Sequence, residues 1–508
     1  MMLALVSPSA GPAAPAVESD LRVVPWHSLR RAALLGGEFV APYRPVSERE
    51  LARLLERAGA RARRGAIRGE WSGFELAAGG RVALWELGPG NLVAAESGLA
   101  GNGLVLVAEA DLEVTNGRWW AGFVPRLGGR LARSGPTVPG ALLDGNWPPP
   151  TNRPALAAAR RDEAWRVTVP RAAGGVAFGS WAIAAGVFPA AVGPGLAGDG
   201  LTLTSQSASL PQVVLRRTAP FAWSGAMGPL DPDHLLLRVG LASEQTIAYE
   251  DEWGRQSRRD RPLFCQWLLT WNHTSWWRTT LTHASLAAPR AGQTLWGDLL
   301  QINAPLLSAT WNEVDYGPVT DRIFTATMEA RFRAAPWPLL PRGAGRLFWE
   351  YGGEDFRPYD SVPVVPEISA PASLVGCELV DERWDLGLEY LETRHPLVLW
   401  YGNSGFDRGY SHDGVVLGHP LGGAAESWTA VVRLRPRSGA CEWELRGRTS
   451  AWDMAGRLPS RAEVRELSVG WRSIAAGGRE WILAASWLAE DVATGRADWL
   501  QARAECRF

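Results

Sequence analysis

The side chains that could do chemistry are concentrated in one glycine-rich segment, residues 401–428. Carbohydrate sites use aromatic rings, which stack on the C–H faces of sugars, and amide, carboxylate and guanidinium groups, which hydrogen bond to hydroxyl groups. The segment supplies all of these types. A purely structural turn is the alternative, because its repeated glycines indicate a demanding backbone shape and its polar groups could satisfy one another. The residues that could contact a sugar are Tyr401, Asn403, Asp407, Arg408, Tyr410, His412 and Asp413.

Catalysis and metal binding fit the same segment poorly. The spacing of His412, Asp413 and His419 matches no established set of metal ligands. A serine hydrolase of the nucleophile-elbow type would need the motif Gly-x-Ser-x-Gly, which the sequence lacks. The adjacent acids at 250–252 and in Glu354-Asp355 are typical of solvated turns rather than of the separated carboxylates of a glycosidase. We therefore predict no catalytic residue, no metal ion and no cofactor.

The elements that must position this segment are strands. From Trp71 onward apolar and polar residues alternate, and only an extended chain sends successive side chains to opposite faces in this way. Clear cases are residues 322–333 and 441–446, and weaker ones include 174–188 and 262–283. With the turn residues between them, the pattern predicts about eighteen strands. The fold class is therefore all-β.

The faces of these strands favour a membrane barrel. The apolar faces often end in Trp, Tyr or Phe, as an aromatic girdle requires, and the chain has 27 Trp. The opposite faces carry Arg, Glu and Asp, which suit a polar lumen where charges can pair. A soluble β-sandwich or propeller would have similar strands, but no repeat of ~40–50 residues supports a propeller. We expect a large closed antiparallel β-barrel in the bacterial outer membrane.

The net charge and the cysteine content limit which ligands and partners the chain is expected to bind. The formal net charge is −1, so no overall field attracts nucleic acid. The 4 Cys form no Cys-x-x-Cys motif, which disfavours a structural zinc site or a disulfide scaffold. We expect a monomer that contacts outer-membrane lipid and no nucleic acid.

The N-terminal part differs from the rest of the chain. Residues 1–16 contain a short apolar run and the small-x-small pattern Ala14-Pro15-Ala16, which predicts the remnant of a secretory signal; a disordered N-terminus is the alternative. Residues 17–69 predict a small helical module with helices over 25–37 and 47–58. The second begins with a capping box formed by Ser47 and Glu50. Residues 70–508 are expected to form the barrel.

The last nine residues, 500–508, predict how the barrel closes. Their alternation is strict, and the final aromatic residue resembles the C-terminal assembly signal of outer-membrane barrels. The strand should pair with the first barrel strand, within residues 71–87; an edge strand of a soluble β-protein is the alternative. We expect Leu500, Ala502, Ala504, Cys506 and Phe508 to face lipid, and Gln501, Arg503, Glu505 and Arg507 to face the lumen.

Several motifs resemble the capsule-assembly Wzi family of outer-membrane proteins. The most specific part combines Gly409-Tyr410, His412 and Gly414 with Leu417-Gly418-His419. A turn at Gly193-Pro194-Gly195 that leads into a strand resembles a second family block. The chain departs from the family at Ala191-Val192 and at His412, where relatives often carry aromatic residues, so its ligand contacts are expected to differ.

This resemblance implies both a fold and a role. The implied fold has roughly eighteen antiparallel strands, with the helical module at the periplasmic side. The implied role is that of a lectin-like protein that holds capsular polysaccharide, or a related exopolysaccharide, at the cell surface without catalysis. The glycines, Pro194 and His419 of the motifs are expected to shape the backbone. A porin or a sugar-specific channel is the rival function, because barrels of this size also form pores.

Overall fold

The computed structural model describes most of the chain from Ile67 onward and four earlier residues. The connections between many strands lie outside the described part. The described residues are 31, 34, 43–44, 67–71, 74–87, 103–116, 118–132, 165–189, 191–196, 200–203, 209–217, 232–251, 254–289, 319–333, 343–359, 362–395, 400–402, 405–407, 409–412, 415–436, 441–452, 462–474, 479–492 and 495–507.

These residues form a closed antiparallel barrel of 18 strands, which confirms the predicted fold class. Each strand pairs with the next one in sequence, and the last strand pairs with the first. The strands are β1 (Phe74–Leu87), β2 (Gly103–Thr115), β3 (Trp119–Ala132), β4 (Trp165–Phe178), β5 (Trp181–Phe188), β6 (Leu210–Arg217), β7 (His234–Leu241), β8 (Leu263–Asn272), β9 (Trp277–Ala288), β10 (Val319–Arg333), β11 (Ala344–Tyr359), β12 (Val362–Val380), β13 (Trp384–Glu392), β14 (Ala425–Leu434), β15 (Cys441–Trp452), β16 (Ala462–Ile474), β17 (Glu480–Val492) and β18 (Gly495–Arg507).

The closing strand confirms the prediction made from its alternation. Ala502 lies opposite Glu86, and Arg507 lies opposite Arg81, so β18 pairs with β1 in the expected region. Leu500 is 75% exposed on the outer surface, whereas Glu505 is 1% exposed on the lumen side. Phe508 lies outside the described residues. The period of two in the sequence thus separates a lipid face from a lumen face.

The connections differ in length at the two ends of the barrel. At one end, here called the short-turn end, most connections are short, such as 116–118, 179–180, 273–276 and 381–383, although 218–233 and 334–343 are longer. At the opposite, long-loop end, most connections are long, including 133–164, 189–209, 242–262 and 393–424, although 360–361 and 493–494 are short. Outer-membrane barrels have short turns at the periplasmic end and longer loops at the extracellular end.

The outer surface is apolar and carries aromatic side chains at strand ends. Trp119, Trp277, Trp443 and Trp481 are exposed near the short-turn end, and Trp165 is exposed at the long-loop end. Trp428 packs its ring against Tyr390 at a centroid distance of 4.6 Å, below the long-loop end. Aromatic rings at both boundaries of an apolar band are the mark of a barrel that spans lipid.

The lumen face carries paired charges, as predicted. On β9 to β12, Arg278 donates to Glu329, and the guanidinium of Arg346 binds Glu329 and Glu378 at 2.6 Å each. At the closing seam Glu505 pairs with the arginines on both of its flanks. Desolvation offsets much of the attraction between buried ions. These ion pairs therefore neutralise the inward charges more than they stabilise the barrel.

Two predicted strands are wrong in their extent. Residues 174–188 are not one strand, since Gly179, with φ at +62°, forms a turn between β4 and β5. Residues 262–283 also divide, because a turn at 273–276 separates β8 from β9, and there Thr274 Oγ1 accepts a hydrogen bond of 2.9 Å from the N–H of Trp277. In both places the turn is short and aromatic residues flank it directly, which hides it from the alternation pattern.

Four described residues of the N-terminal part contact the barrel wall or the connection between β5 and β6. Arg31, in a helical conformation, donates to the carbonyl oxygen of Asp381 at 2.8 Å, and Leu34 packs with Ala344 and Val380. These contacts lie at the short-turn end. Tyr43–Arg44 pairs with Ala191–Val192. Residues 1–16 and the predicted helix at 47–58 lie outside the described part, so the helical module stays a prediction. No helix among the described residues is long and apolar enough to cross a membrane.

Candidate functional site

Two connections from the long-loop end fold into the lumen and pack together. They are the described residues of 191–203, between β5 and β6, and of 400–424, between β13 and β14; together they are called the plug. Its apolar side chains are buried and form one cluster with inward residues of the barrel wall. The plug therefore fills part of the lumen with a packed core. Its most buried apolar residues include Leu201, Leu203, Trp400, Phe406 and Leu417.

Tyr401 joins the two parts of the plug. Its hydroxyl donates to the carbonyl oxygen of Leu201 at 2.8 Å and accepts from the N–H of His419 at 3.0 Å. The residue has a positive φ of 64°. Its ring lies so close to Gly418 that a Cβ there would come within 2.1 Å of it, so position 418 needs glycine. Burial raises the pKa of the Tyr401 hydroxyl well above its usual range.

Tyr410 makes a second, parallel connection. Its hydroxyl donates to the carbonyl oxygen of Thr202 at 2.9 Å, and its N–H donates to the carbonyl oxygen of Tyr401 at 2.9 Å. The two tyrosine rings stack at a centroid distance of 6.0 Å. Gly409, with φ at +58°, makes the preceding turn. Burial also raises the pKa of the Tyr410 hydroxyl, so both tyrosines are neutral donors that fasten 400–424 to 191–203.

Three carboxylates of the wall hold the plug by its backbone. Glu350 and Glu354 on β11 accept from the N–H groups of Leu201 and Tyr401 at 3.0 Å each. Glu389 on β13 accepts from the N–H of Leu196 at 2.6 Å. The prediction that Glu354-Asp355 forms a solvated turn is wrong. Both residues lie inside β11, which continues to Tyr359, and the Glu354 side chain is buried against the plug.

Asp407 lies at the exposed side of the plug. Its Oδ1 accepts from the N–H of Thr246 at 2.8 Å, and its own N–H donates to the carbonyl oxygen of Thr246 at 3.1 Å. The hairpin formed by Gln245–Asp251 and Gly254–Asp260, in the connection between β7 and β8, thereby binds the plug edge. Of the acidic run 250–252, the first two residues belong to this hairpin strand. Among the described members of the predicted sugar-contact set, Asp407 is the exposed one.

The two histidines of the segment are buried. His412 belongs to a short strand, Ser411–His412, that pairs with Val415–Val416. The His419 imidazole accepts from the N–H of Leu421 at 3.3 Å through Nδ1. Within the described ranges no cluster of His, Cys, Asp and Glu is arranged to hold a metal ion. Asn403, Arg408, Asp413 and Gly414 lie outside the described residues.

The Gly193-Pro194-Gly195 turn reaches deep into the lumen. The Pro194 carbonyl oxygen accepts a hydrogen bond from the guanidinium of Arg346. Leu196, which directly follows the turn, contacts the wall at Gly387. Gly193, with φ at +153°, lies where the chain reverses toward this contact. The turn thus connects the plug to the ion pairs of β10 to β12.

The sequence analysis singled out a segment that forms part of the plug, but it missed the wall residues that anchor this segment. Tyr401, Tyr410 and His419 do meet, although their polar atoms bind backbone and neither tyrosine ring presents a face to solvent. The wall glutamates were missed, as was Thr393, whose Oγ1 donates to the Gly422 carbonyl oxygen at 3.0 Å. A signal was present for two of them, because Glu350 and Glu389 occupy inward positions of predicted strands, whereas Glu354 was predicted to lie in a turn. The role of the segment in sugar binding stays a prediction.

Comparison with solved structures shows what the fold resembles. The Escherichia coli outer-membrane protein Wzi, involved in group 1 capsule assembly and described as a carbohydrate-binding β-barrel, is 14% identical with a TM-score of 0.58, covering 95% of this chain and 97% of that one. Acinetobacter baumannii OccAB2 is 8% identical with a TM-score of 0.49, covering 86% and 99%. Pseudomonas aeruginosa OccK5 is 9% identical with a TM-score of 0.48, covering 87% and 98%.

These likenesses concern the fold. No protein-family model and no curated protein matches the sequence. The Wzi-like architecture inferred from the sequence motifs is confirmed at the level of the barrel. Together with the lipid-facing aromatic rings and the paired lumen charges, it places the chain in the bacterial outer membrane.

Proposed function

We propose that this outer-membrane barrel binds capsular polysaccharide, or a related exopolysaccharide, and anchors it at the cell surface without catalysing a reaction. The observation that carries the proposal is the plug. Tyr401 and Tyr410 fasten two inward loops into one packed body. Such a body fills part of a wide lumen, which suits a support more than an open pore.

The orientation of the barrel supports a role outside the cell. Both inward loops and the 245–260 hairpin enter from the long-loop end. Outer-membrane barrels keep their longer loops on the extracellular side, so the plug would be built from the face that meets surface polysaccharide. The fold likeness to a carbohydrate-binding barrel agrees with this interpretation. Among the described members of the predicted contact set, Asp407 is exposed and binds the 245–260 hairpin through Thr246.

Transport is the second candidate, and one observation favours it. On β15 to β18 the lumen face carries charged side chains that are partly exposed, including Arg446 and Arg503, at 31% and 27%. Water therefore reaches part of the wall. A sugar-specific channel along this side would make the protein a pore in addition to a support.

Deletion of the gene in the native strain tests the proposal. Surface polysaccharide should move from the cell pellet to the culture medium, while total polysaccharide stays constant, since anchoring and not synthesis is lost. Expression of the full chain should restore attachment. Polysaccharide that stays on the deleted cells would refute anchoring. Recording the purified protein in planar bilayers separates the rival, because a steady open channel of large conductance would favour transport.

A further inference from the structure

A shallow trough lies on the lumen face of β16 and β17. Four small residues face inward there at partial exposure, Ser468 and Gly470 on β16 and Ala484 and Ser486 on β17. Ser468 lies directly opposite Ser486, and Gly470 lies opposite Ala484. A Cβ built at Gly470 would meet only atoms of Glu444, at 3.7 Å and beyond. The floor of the trough is therefore flat and open on the lumen side.

Charged side chains border this floor. On the β15 side Arg446 pairs with Glu444 at 3.3 Å, and Arg448 pairs with Glu466 at 2.6 Å. On the β18 side stands Arg503, which donates to Glu505. The border residues that are partly exposed are three arginines and two glutamates. The border therefore mixes hydrogen-bond donors and acceptors, and its net charge is small. Such a border suits hydrogen bonding to hydroxyl groups more than attraction of a polyanion.

Gln501 gives an independent sign of a ligand. It lies on the lumen face of β18, directly opposite Ser486, and is 9% exposed. Its Nε2 is buried and has no hydrogen-bond partner among the described residues. A buried amide donor without a partner costs about 1–3 kcal/mol, so such groups call for a specific explanation. A donor beside a small-residue floor is what a sugar hydroxyl would satisfy.

We propose that this trough, formed by β15 to β18, is a binding site for a polyhydroxylated sugar chain. The inference rests on the proposed function and gives it a location different from the 401–428 segment. Three strand spacings separate β15 from β18, roughly 14 Å, which leaves room for a single pyranose chain. Gln501 donates to a hydroxyl, Glu444 and Glu466 accept from hydroxyls, and Arg446 and Arg448 donate. Binding should depend little on salt, because the net charge of the site is small.

The test fills the trough and compares the result with a matched change on the other face. Ala484→Trp places an indole over the floor, whereas Ala485→Trp, one residue along β17, adds the same ring to the exposed lipid face. The purified full chain is titrated with polysaccharide extracted from the strain that produces it. Ala484→Trp should weaken binding by roughly tenfold or more, and Ala485→Trp should leave it unchanged. Heat-modifiable migration on gels confirms that both variants form the barrel.

Two further measurements sharpen the assignment. Gln501→Ala should weaken binding by about threefold to tenfold, as expected for the loss of one hydrogen bond. Raising NaCl from about 0.05 M to about 0.5 M should change the affinity by less than about threefold. A strong salt dependence would contradict hydroxyl recognition.

The outcomes separate this inference from the proposed function. If deletion releases polysaccharide from cells but Ala484→Trp binds and retains it like the wild type, the trough is not the site and anchoring stands. If the wild-type protein binds no polysaccharide and its deletion releases none, both ideas are wrong. If the trough binds lipopolysaccharide core sugars but not the exported polymer, the ligand assigned here is wrong.

Discussion

Two sectors of the same barrel wall differ in what covers their lumen faces. In the plugged sector, β5 to β14, inward side chains such as Phe264, Leu268 and Phe348 are buried in one cluster with the plug. In the charged sector, β15 to β18, inward side chains such as Arg446 and Arg503 form ion pairs that remain partly exposed. The strands of both sectors have the same outer apolar face. What differs is whether a loop supplies a partner for the inner face.

The inward residue types reveal this difference before any loop is placed. A strand next to a water-filled lumen carries mainly polar or small residues at its inward positions, as β16 does with Glu466, Ser468 and Gly470. A strand that meets a plug can place apolar residues on both faces, as β8 does with Phe264 and Leu268. Apolar residues on the inner face of a barrel strand therefore predict an inward loop.

The largest expected effect comes from removing the centre of the plug. Tyr401→Ala deletes a fully buried ring and leaves the Leu201 carbonyl and the His419 N–H without their partner. Loss of a buried aromatic ring costs about 3–5 kcal/mol, so amides of the plug should exchange with solvent roughly a hundredfold faster or more, while the barrel amides keep their protection. Hydrogen exchange read by mass spectrometry measures this difference.

A matched control keeps that experiment specific. Tyr390→Ala removes the same side chain from the outer face of β13, where it packs on Trp428. This variant should leave exchange in the plug unchanged. Equal acceleration in both variants, or protection of the plug in Tyr401→Ala, would show that the plugged sector is not held together by its core.

The barrel was predictable from the sequence because its signal is local and repeated. An alternation such as that of β18 needs only the period of a strand, and its pairing with β1 follows from closure. The plug was not predictable in detail, because its contacts join residues about 200 positions apart, as between Tyr401 and Leu201. Glycine at 409 and 418 indicated a special backbone, but the same pattern fits an exposed turn and a buried one.

A smaller loss of plug stability is expected in alkaline solution. The pKa values of Tyr401 and Tyr410 are raised in the folded protein by burial, so the plug binds their protons more tightly than the unfolded chain does. Stability from this source is complete below about pH 10 and falls as pH rises toward the folded pKa values, by up to about 1.4 kcal/mol per pH unit for each tyrosine.

Tyrosinate absorbance at 295 nm follows this titration. Of the 8 Tyr of the chain, two should ionise together, above the others, when the plug opens. The double variant Tyr401→Phe with Tyr410→Phe should lack that step and keep the rest of the curve. If all tyrosines ionise near pH 10 while plug amides stay protected, burial in the plug is not what keeps the two hydroxyls protonated.

The smallest effect is expected in the charged sector. Arg448 and Glu466 pair at 2.6 Å with side-chain exposures of 18% and 17%, so water can replace either partner. A double-mutant cycle with Arg448→Ala and Glu466→Ala should give a coupling of about 0.2–1 kcal/mol in unfolding by denaturant. The same cycle on Arg346 and Glu378, also 2.6 Å apart but at 3% and 6% exposure, is the matched control. It should give a larger coupling, because removing one buried partner leaves an uncompensated charge.

Equal couplings would mean that the two sectors do not differ in hydration, and would remove the physical basis for a solvated trough on β16 and β17.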